Sequence, residues 1–311
     1  MVWERPGVAE RPVPRGEVAR GPAGRSSTVS AGGMALVLLA VPVVVLLSGE
    51  MVGRRWHGLR FDDPFVDRTA IAKVAEVVLT DVAKPALVVA SLALVVWCLK
   101  RRSRRTAVIV GVTILVSNVT VQVVKHSPVD PGGALARLGP LSGHAALAGA
   151  LCCGALLVVP LGRLFAAAAA VCTLLAAICL GVMAMGWHDP EEVLAPVLIC
   201  LGWAMVAWPQ LPRDRPSASG SESPRAALRY PAAALVVLGA VLMAIGMVAG
   251  SSPGYPADLV DAGMDSAAVF VVGGSFLTVG ALVGMRAAWS QPAAPAAPAR
   301  TGPNSPVTPK P

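Results

Sequence analysis

Residues Leu164–Gly186 read LFAAAAAVCTLLAAICLGVMAMG, a run without one charged side chain. As a helix rising ~1.5 Å per residue it extends about 34 Å, enough to cross a ~30 Å hydrocarbon core. Segments of the same kind recur at Ala83–Leu99, Thr106–Val124, Ala145–Val159, Val193–Trp208, Ala232–Ala249 and Ser266–Arg286, and a first lies at Met34–Ser48. Several are a little short of ~20 residues, so their ends must run into polar flanks. The reading is eight spans, an all-α, polytopic membrane helical bundle.

Composition agrees. The 311 residues are 55% hydrophobic and 14% charged, with a mean hydropathy of +0.66. Soluble domains carry about 25% charged residues, so an ordinary cytoplasmic enzyme is excluded. The net charge of +8 does not point to nucleic acid, because the cations sit in short clusters between apolar runs. Cys98, Cys152, Cys153, Cys172, Cys179 and Cys200 lie in or beside apolar runs. They read as small hydrophobes, giving neither a disulfide framework nor a thiolate metal site.

The clusters set an orientation by the positive-inside rule. Arg5 to Arg25, Lys100 to Arg105, Arg163, Arg213 to Arg229 and Arg286 all fall on one side if both termini are cytoplasmic. The loop with Arg54, Arg55, Arg60, Arg68 and Lys73 is the exception, and the external loop before the last span carries Asp258, Asp261 and Asp265. Residues 1–32 read as a disordered cytoplasmic leader and 33–208 as the main transmembrane core. A cytoplasmic linker follows at 209–229, then a helix pair at 230–287 and a disordered cytoplasmic tail at 288–311. The run from Met34 reads as a retained span rather than a signal peptide, and Met34 itself is an alternative start. Phe65–Thr80 has helical apolar spacing, suiting either a surface helix or a buried connecting one. Gly280 and Gly284 form a small-x3-small packing face.

Under this topology His57, His126, His144 and His188 are all external. Three stretches reach that face: Lys125-His126-Ser127-Pro128-Val129-Asp130-Pro131, Pro140-Leu141-Ser142-Gly143-His144, and Trp187-His188-Asp189-Pro190-Glu191-Glu192. Together they permit phosphoryl transfer. A Ser-Gly-His at a helix start offers a hydroxyl and free amides to a phosphate, and Lys125 adds a point charge. One histidine could attack phosphorus while the other protonates the leaving oxygen, with a carboxylate fixing the attacking tautomer. Each residue also has a plainer reading. Ser142 can cap its helix, and Asp189 with Glu192 matches a capping box that competes for the same carboxylate. Lys125 can snorkel to the interface. His57 and His126 read as interfacial residues, while Asn118, Thr120 and Gln122 need partners within the membrane. The histidine spacing gives no compact zinc pair.

These stretches resemble the type 2 phosphatidic acid phosphatase (PAP2) superfamily, especially its bacterial membrane members. That family has a six-helix core and three motifs: Lys followed by Arg-Pro; Pro-Ser-Gly-His; and Ser-Arg followed by His six residues after the Arg and Asp four later. The likeness spans residues 34 to 208, and Ser117–Lys125 resembles the helix leading into the first motif. The resemblance implies that His188 is a nucleophile forming phosphohistidine, that Glu192 orients it, and that His144 is the general acid. It further implies that Lys125, Ser142 and the Gly143 amide hold the phosphate, that substrates are phosphatidate or prenyl phosphates and diphosphates, and that no cofactor or metal is needed. The chain departs from the pattern at Gly181-Val182, where the family has Ser-Arg. It also lacks the first Arg-Pro, having Asp130-Pro131 or Gly132-Gly133, and Leu141 separates Pro140 from Ser142. Arg137 is the candidate substitute cation.

Two functions follow as expectations. One is a lipid phosphate phosphatase of the plasma membrane with its site on the external face. The other is a catalytically inactive protein of similar fold that binds a lipid headgroup or supports a membrane partner. Transport has no signal of its own, since there is no internal repeat and few charges lie within the spans.

Overall fold

A computed structural model describes residues 70–127, 141–212, 224–251 and 260–289, together with Met34. The rest of the Met34–Ser48 run, the leader, the tail beyond Trp289, His57, Asp130 and Arg137 lie outside the described residues.

Helix α1 (Ala70–Val77) runs through a π-helical stretch (Val78–Ala83) directly into α2 (Lys84–Arg101). Pro85 gives the reason for the shifted ladder: it has no amide to donate to a carbonyl in the preceding turn, so the helix widens just before it. The second half of Phe65–Thr80 is therefore the first turns of a long helix, with Leu79 buried and Val74 and Val77 exposed.

Ser103 starts α3 (Arg104–His126) by accepting the Thr106 amide at 3.1 Å. Ser142 caps α4 (Gly143–Val158). After a 3-10 turn (Leu161–Arg163) comes α5 (Leu164–Ala184), and then α6 (Pro190–Ala207), which ends in a 3-10 turn at Trp208–Gln210. Helices α7 (Pro224–Ser251) and α8 (Val260–Trp289) complete the bundle. Two boundaries shift. The six residues from Pro224 to Arg229, read as linker, are helical. Asp261 and Asp265, read as loop, fall in the first turns of α8.

Among the described residues five helical segments are long and apolar enough to cross a membrane, and two shorter apolar stretches lie in α4 and α7. On α3, Val108, Val112, Leu115, Val119 and Val123 recur at intervals of four and three, and each is at least half exposed. Val237, Val241, Ile245 and Val248 recur at the same intervals on α7 and are likewise exposed. Continuous apolar stripes of this kind are tolerable when lipid covers them. The chain is an all-α, multi-helix membrane protein.

Helix α4 is the hub, packed against α2, α3, α5, α6 and α8. Its small residues permit this: a side chain at Gly149 would come within 3.2 Å of the Cys200 sulfur, so α6 approaches almost to backbone contact. The α7–α8 hairpin uses the same device. A Cβ on Gly280 would lie 2.8 Å from the Val236 amide nitrogen, while one on Gly284 would meet the Ala232 Cβ at 3.6 Å. All six cysteines are buried and unpaired, spread through this core as small apolar side chains.

The two ends of α4 differ chemically. Its C-terminal carbonyls are met by arginines from distant parts of the chain. Arg102 donates to Val158 O at 2.9 Å, and Arg286 donates to Leu156 O and Val159 O at 2.7 and 2.6 Å. The N-terminal end carries the histidines.

Candidate functional site

At that end a cleft of about 660 Å³ opens between the start of α2, the end of α3, the start of α4 and the turn into α6. Four of the expected site residues line it together: Lys125, Gly143, His144 and His188. Each is delivered by local structure that the sequence dictates.

The α5–α6 turn places His188. Gly186 takes φ 66°, a conformation costly for any residue with a Cβ. Around it the Trp187 amide bonds Val182 O at 3.1 Å and the Gly186 amide bonds Met183 O at 2.8 Å. This 6→1, 5→2 pair is a Schellman motif, which ends α5 and turns Trp187 and His188 toward the cleft. His188 Nδ1 lies 2.9 Å from Glu192 Oε2. A carboxylate oxygen accepts, so Nδ1 carries a proton, and in the neutral ring the lone pair lies on Nε2. The same Oε2 accepts the Asp189 amide at 3.4 Å within a capping box. The two roles that compete in the sequence are served by one oxygen, because the cap amide and the imidazole of the preceding residue present their N–H groups to the same side of Glu192.

His144 is held differently. It is 4% exposed, its ring stacks on Trp187 at 5.8 Å, and its Nε2 is 2.9 Å from Leu79 O. A backbone carbonyl only accepts, so Nε2–H is the donor and Nδ1 is the nitrogen left for proton transfer. Leu79 also packs its side chain against Gly181, where an added Cβ would meet Leu79 Cδ1 at 3.2 Å. Val182 is fully buried. The two positions where the resembled family carries Ser-Arg are thus occupied by helix packing.

Ser142 does not line the cleft. Its side chain is fully buried, its Oγ accepts the Ala145 amide at 3.4 Å, and its own amide donates to Glu192 O at 2.9 Å. The capping reading is the one its geometry supports, and the hydroxyl is not presented to a ligand. The Gly143 and His144 amides, at the first two helical positions, have no acceptor within their own helix. A side chain at Gly143 would meet only Gln122 Nε2, at 3.9 Å.

Asn118, Gln122 and Lys125 project into the cleft from one face of α3, spaced i, i+4, i+7. They carry its polar lining about 10 Å along the helix axis. Asn118 also donates to Ile114 O at 2.8 Å. Thr120 instead bridges helices, accepting the Trp203 indole N–H at 3.0 Å. His126 is exposed at the end of α3 and is not part of the cleft.

Sequence reasoning missed Thr80 and Lys84, which line the cleft from the π-helical stretch and the start of α2. The available signal was an ionisable residue, Lys84, sitting inside an apolar run. Among the described residues no cluster of three or more histidine, cysteine or acidic side chains is disposed to hold a metal ion.

No family model, curated protein or solved structure matches this chain.

Proposed function

We propose that the protein is a membrane phosphatase that hydrolyses a lipid phosphate or a prenyl (di)phosphate through a phosphohistidine. The site would lie at the external face of the plasma membrane, with both termini cytoplasmic. The observation that carries this reading is the pairing of His188 with Glu192 in a cleft shared with His144, Lys125 and the open side of Gly143. His188 Nε2 attacks phosphorus and the P–O bond to the lipid breaks. The leaving oxygen takes a proton from Nδ1 of His144 in its cationic form, which burial and the nearby lysines disfavour until an anionic substrate offsets their charge; the Nε2 proton stays on nitrogen, donated to the Leu79 carbonyl. Water, losing its proton to the now neutral His144 Nδ1, then cleaves the P–N bond and releases phosphate. Lys125 and the α4 amides bear the equatorial charge. A lipid substrate fits a cleft at a bundle end, where the headgroup can bind while the tail remains among apolar helices.

The test is phosphate release by the purified protein in detergent, without added metal, from phosphatidate and from prenyl phosphates and diphosphates. His188→Ala and His144→Ala preparations run beside it. Release by the parent that is lost in both variants is the expected result. Equal release by all three, or none from folded parent protein, removes the phosphatase reading.

A second reading, a non-catalytic lipid-headgroup binder, is favoured by one feature: among the described residues no arginine lines the cleft. Headgroup binding without release in the same assay selects it.

A further inference from the structure

Lys84 has no place in the motifs that drew attention to this end of the molecule, yet it reaches the same cleft from a different helix than Lys125. Its position is fixed rather than incidental. Leu79, five residues earlier, is fastened twice: its carbonyl takes the His144 Nε2–H at 2.9 Å, and its buried side chain packs at Gly181. The π-helical stretch between Val78 and Ala83 then carries the chain from that anchor to Lys84. The start of α2 is therefore registered against the starts of α4 and α6, and Thr80 and Lys84 both present themselves to the cleft.

The charge pattern is unbalanced. Two lysines, Lys84 and Lys125, line the cleft together with both histidines. Among the described residues neither is paired with a carboxylate, and no acidic side chain lines the cleft. Leu147 and the Trp187 ring complete a partly apolar wall, which strengthens any ion pair formed there. Two unneutralised ammonium groups on separate helices, with the Asn118 and Gln122 amides and the first-turn amides of α4, suit a dianionic ligand better than a singly charged one.

We propose that Lys84 is a second phosphate-binding cation, acting with Lys125 to bracket a dianionic phosphate monoester headgroup between α2 and α3. This deepens the reading of the cleft as a phosphate site and rests on it. Lys84 supplies, from an unexpected helix, charge that an arginine elsewhere would otherwise have to provide.

The test uses the full chain in detergent micelles carrying His188→Ala to prevent turnover, with dioctanoyl phosphatidate as probe and calorimetric titration as readout. Lys84→Gln is expected to raise Kd about 10-fold, the loss of one charge-assisted contact, and to flatten the dependence of Kd on salt. Lys84→Arg keeps the charge and should restore Kd to within about 3-fold of the parent. Lys73→Gln, a lysine exposed on α1 and away from the cleft, should leave Kd unchanged. A Kd for Lys84→Gln within about 2-fold of the parent, or no binding by the parent, overturns the proposal. Lys84-dependent binding to a protein that, with His188 intact, releases no phosphate upholds Lys84 and rejects the phosphatase reading.

Discussion

Replacing Arg286 by Met should loosen the bundle at the end far from the cleft. Arg286 is 3% exposed, its Nη1 donates to two carbonyls at the C-terminus of α4, and its guanidinium lies 5.4 Å from the Trp208 ring centre. Methionine fills comparable space but donates nothing, so Leu156 O and Val159 O lose a charged donor where the helix dipole is most negative. Hydrogen bonds to charged groups are worth ~1.5–3 kcal/mol in soluble proteins, whereas interhelical bonds in membranes average ~0.6 kcal/mol. A cation–π contact adds ~0.5–2 kcal/mol. Both bonds leave one nitrogen and do not add fully, so the loss should be about 2–4 kcal/mol. For a chain of this size, at ~2.1 cal/mol/K of unfolding entropy per residue, that corresponds to a fall in melting temperature of roughly 3–6 °C. All six cysteines are buried, so a thiol-reactive fluorophore added during a temperature ramp in detergent reports opening of the core directly. Arg286→Lys, which keeps a charge but loses the planar stack, should fall between parent and Met variant. A Met variant that melts within about 2 °C of the parent would refute the view that this arginine fastens α8 to α4.

Two further substitutions probe the cleft end. Glu192→Gln keeps an oxygen for the Asp189 amide but removes the charge facing His188 Nδ1; melting should move by no more than a few degrees while phosphate release falls by about 10³-fold or more, and equal loss of both would mark Glu192 as a cap alone. Gly186→Ala forces a Cβ onto φ 66°, costing about 1–2 kcal/mol; a lower melting temperature with altered tryptophan fluorescence from Trp187 is expected, and an unshifted melt would deny the turn its role in placing His188.

Seven of the apolar helices were legible in the sequence because a lipid-facing helix must be apolar along its whole length, and no periodicity has to be resolved to see it. Their ends were not, because ends are set by capping chemistry and polar turns. Pro224 opens α7 well before its apolar run, and α2 is continuous with α1 because Pro85 shifts the ladder without stopping the helix. Within the cleft, His188 and Glu192 were legible as an i, i+4 pair on one helix start. Ser142 was readable both as a cap and as a ligand group; its hydroxyl is buried and accepts the Ala145 amide, the geometry of a cap. Lys84 was hidden because its position depends on a contact between residues 65 apart, the Leu79 carbonyl and His144. No local pattern encodes that contact.

The carboxylate of Glu192 bears on what the cleft is for. Glu192 is 6% exposed, beside the buried Glu191 at the start of a helix that is apolar from Val193 onward, and burying an ionised carboxylate costs several kcal/mol unless donors surround it. Capping alone does not explain its presence, since a glutamine would satisfy the Asp189 amide without bringing a charge indoors. The charge gains most when the imidazole beside it becomes cationic, as it would in the proposed reaction, where His188 Nε2 bonds to phosphorus and the ring delocalises positive charge through Nδ1. The Ser142 amide donates to the Glu192 carbonyl at 2.9 Å, locking the start of α6 to the start of α4. The two histidines are thereby held in register before any ligand arrives. A preorganised geometry of this kind, with a buried charge that pairs best with a transient cation, supports the proposed group transfer over passive headgroup binding, and the Glu192→Gln variant separates the two: it should abolish release while leaving headgroup affinity nearly unchanged.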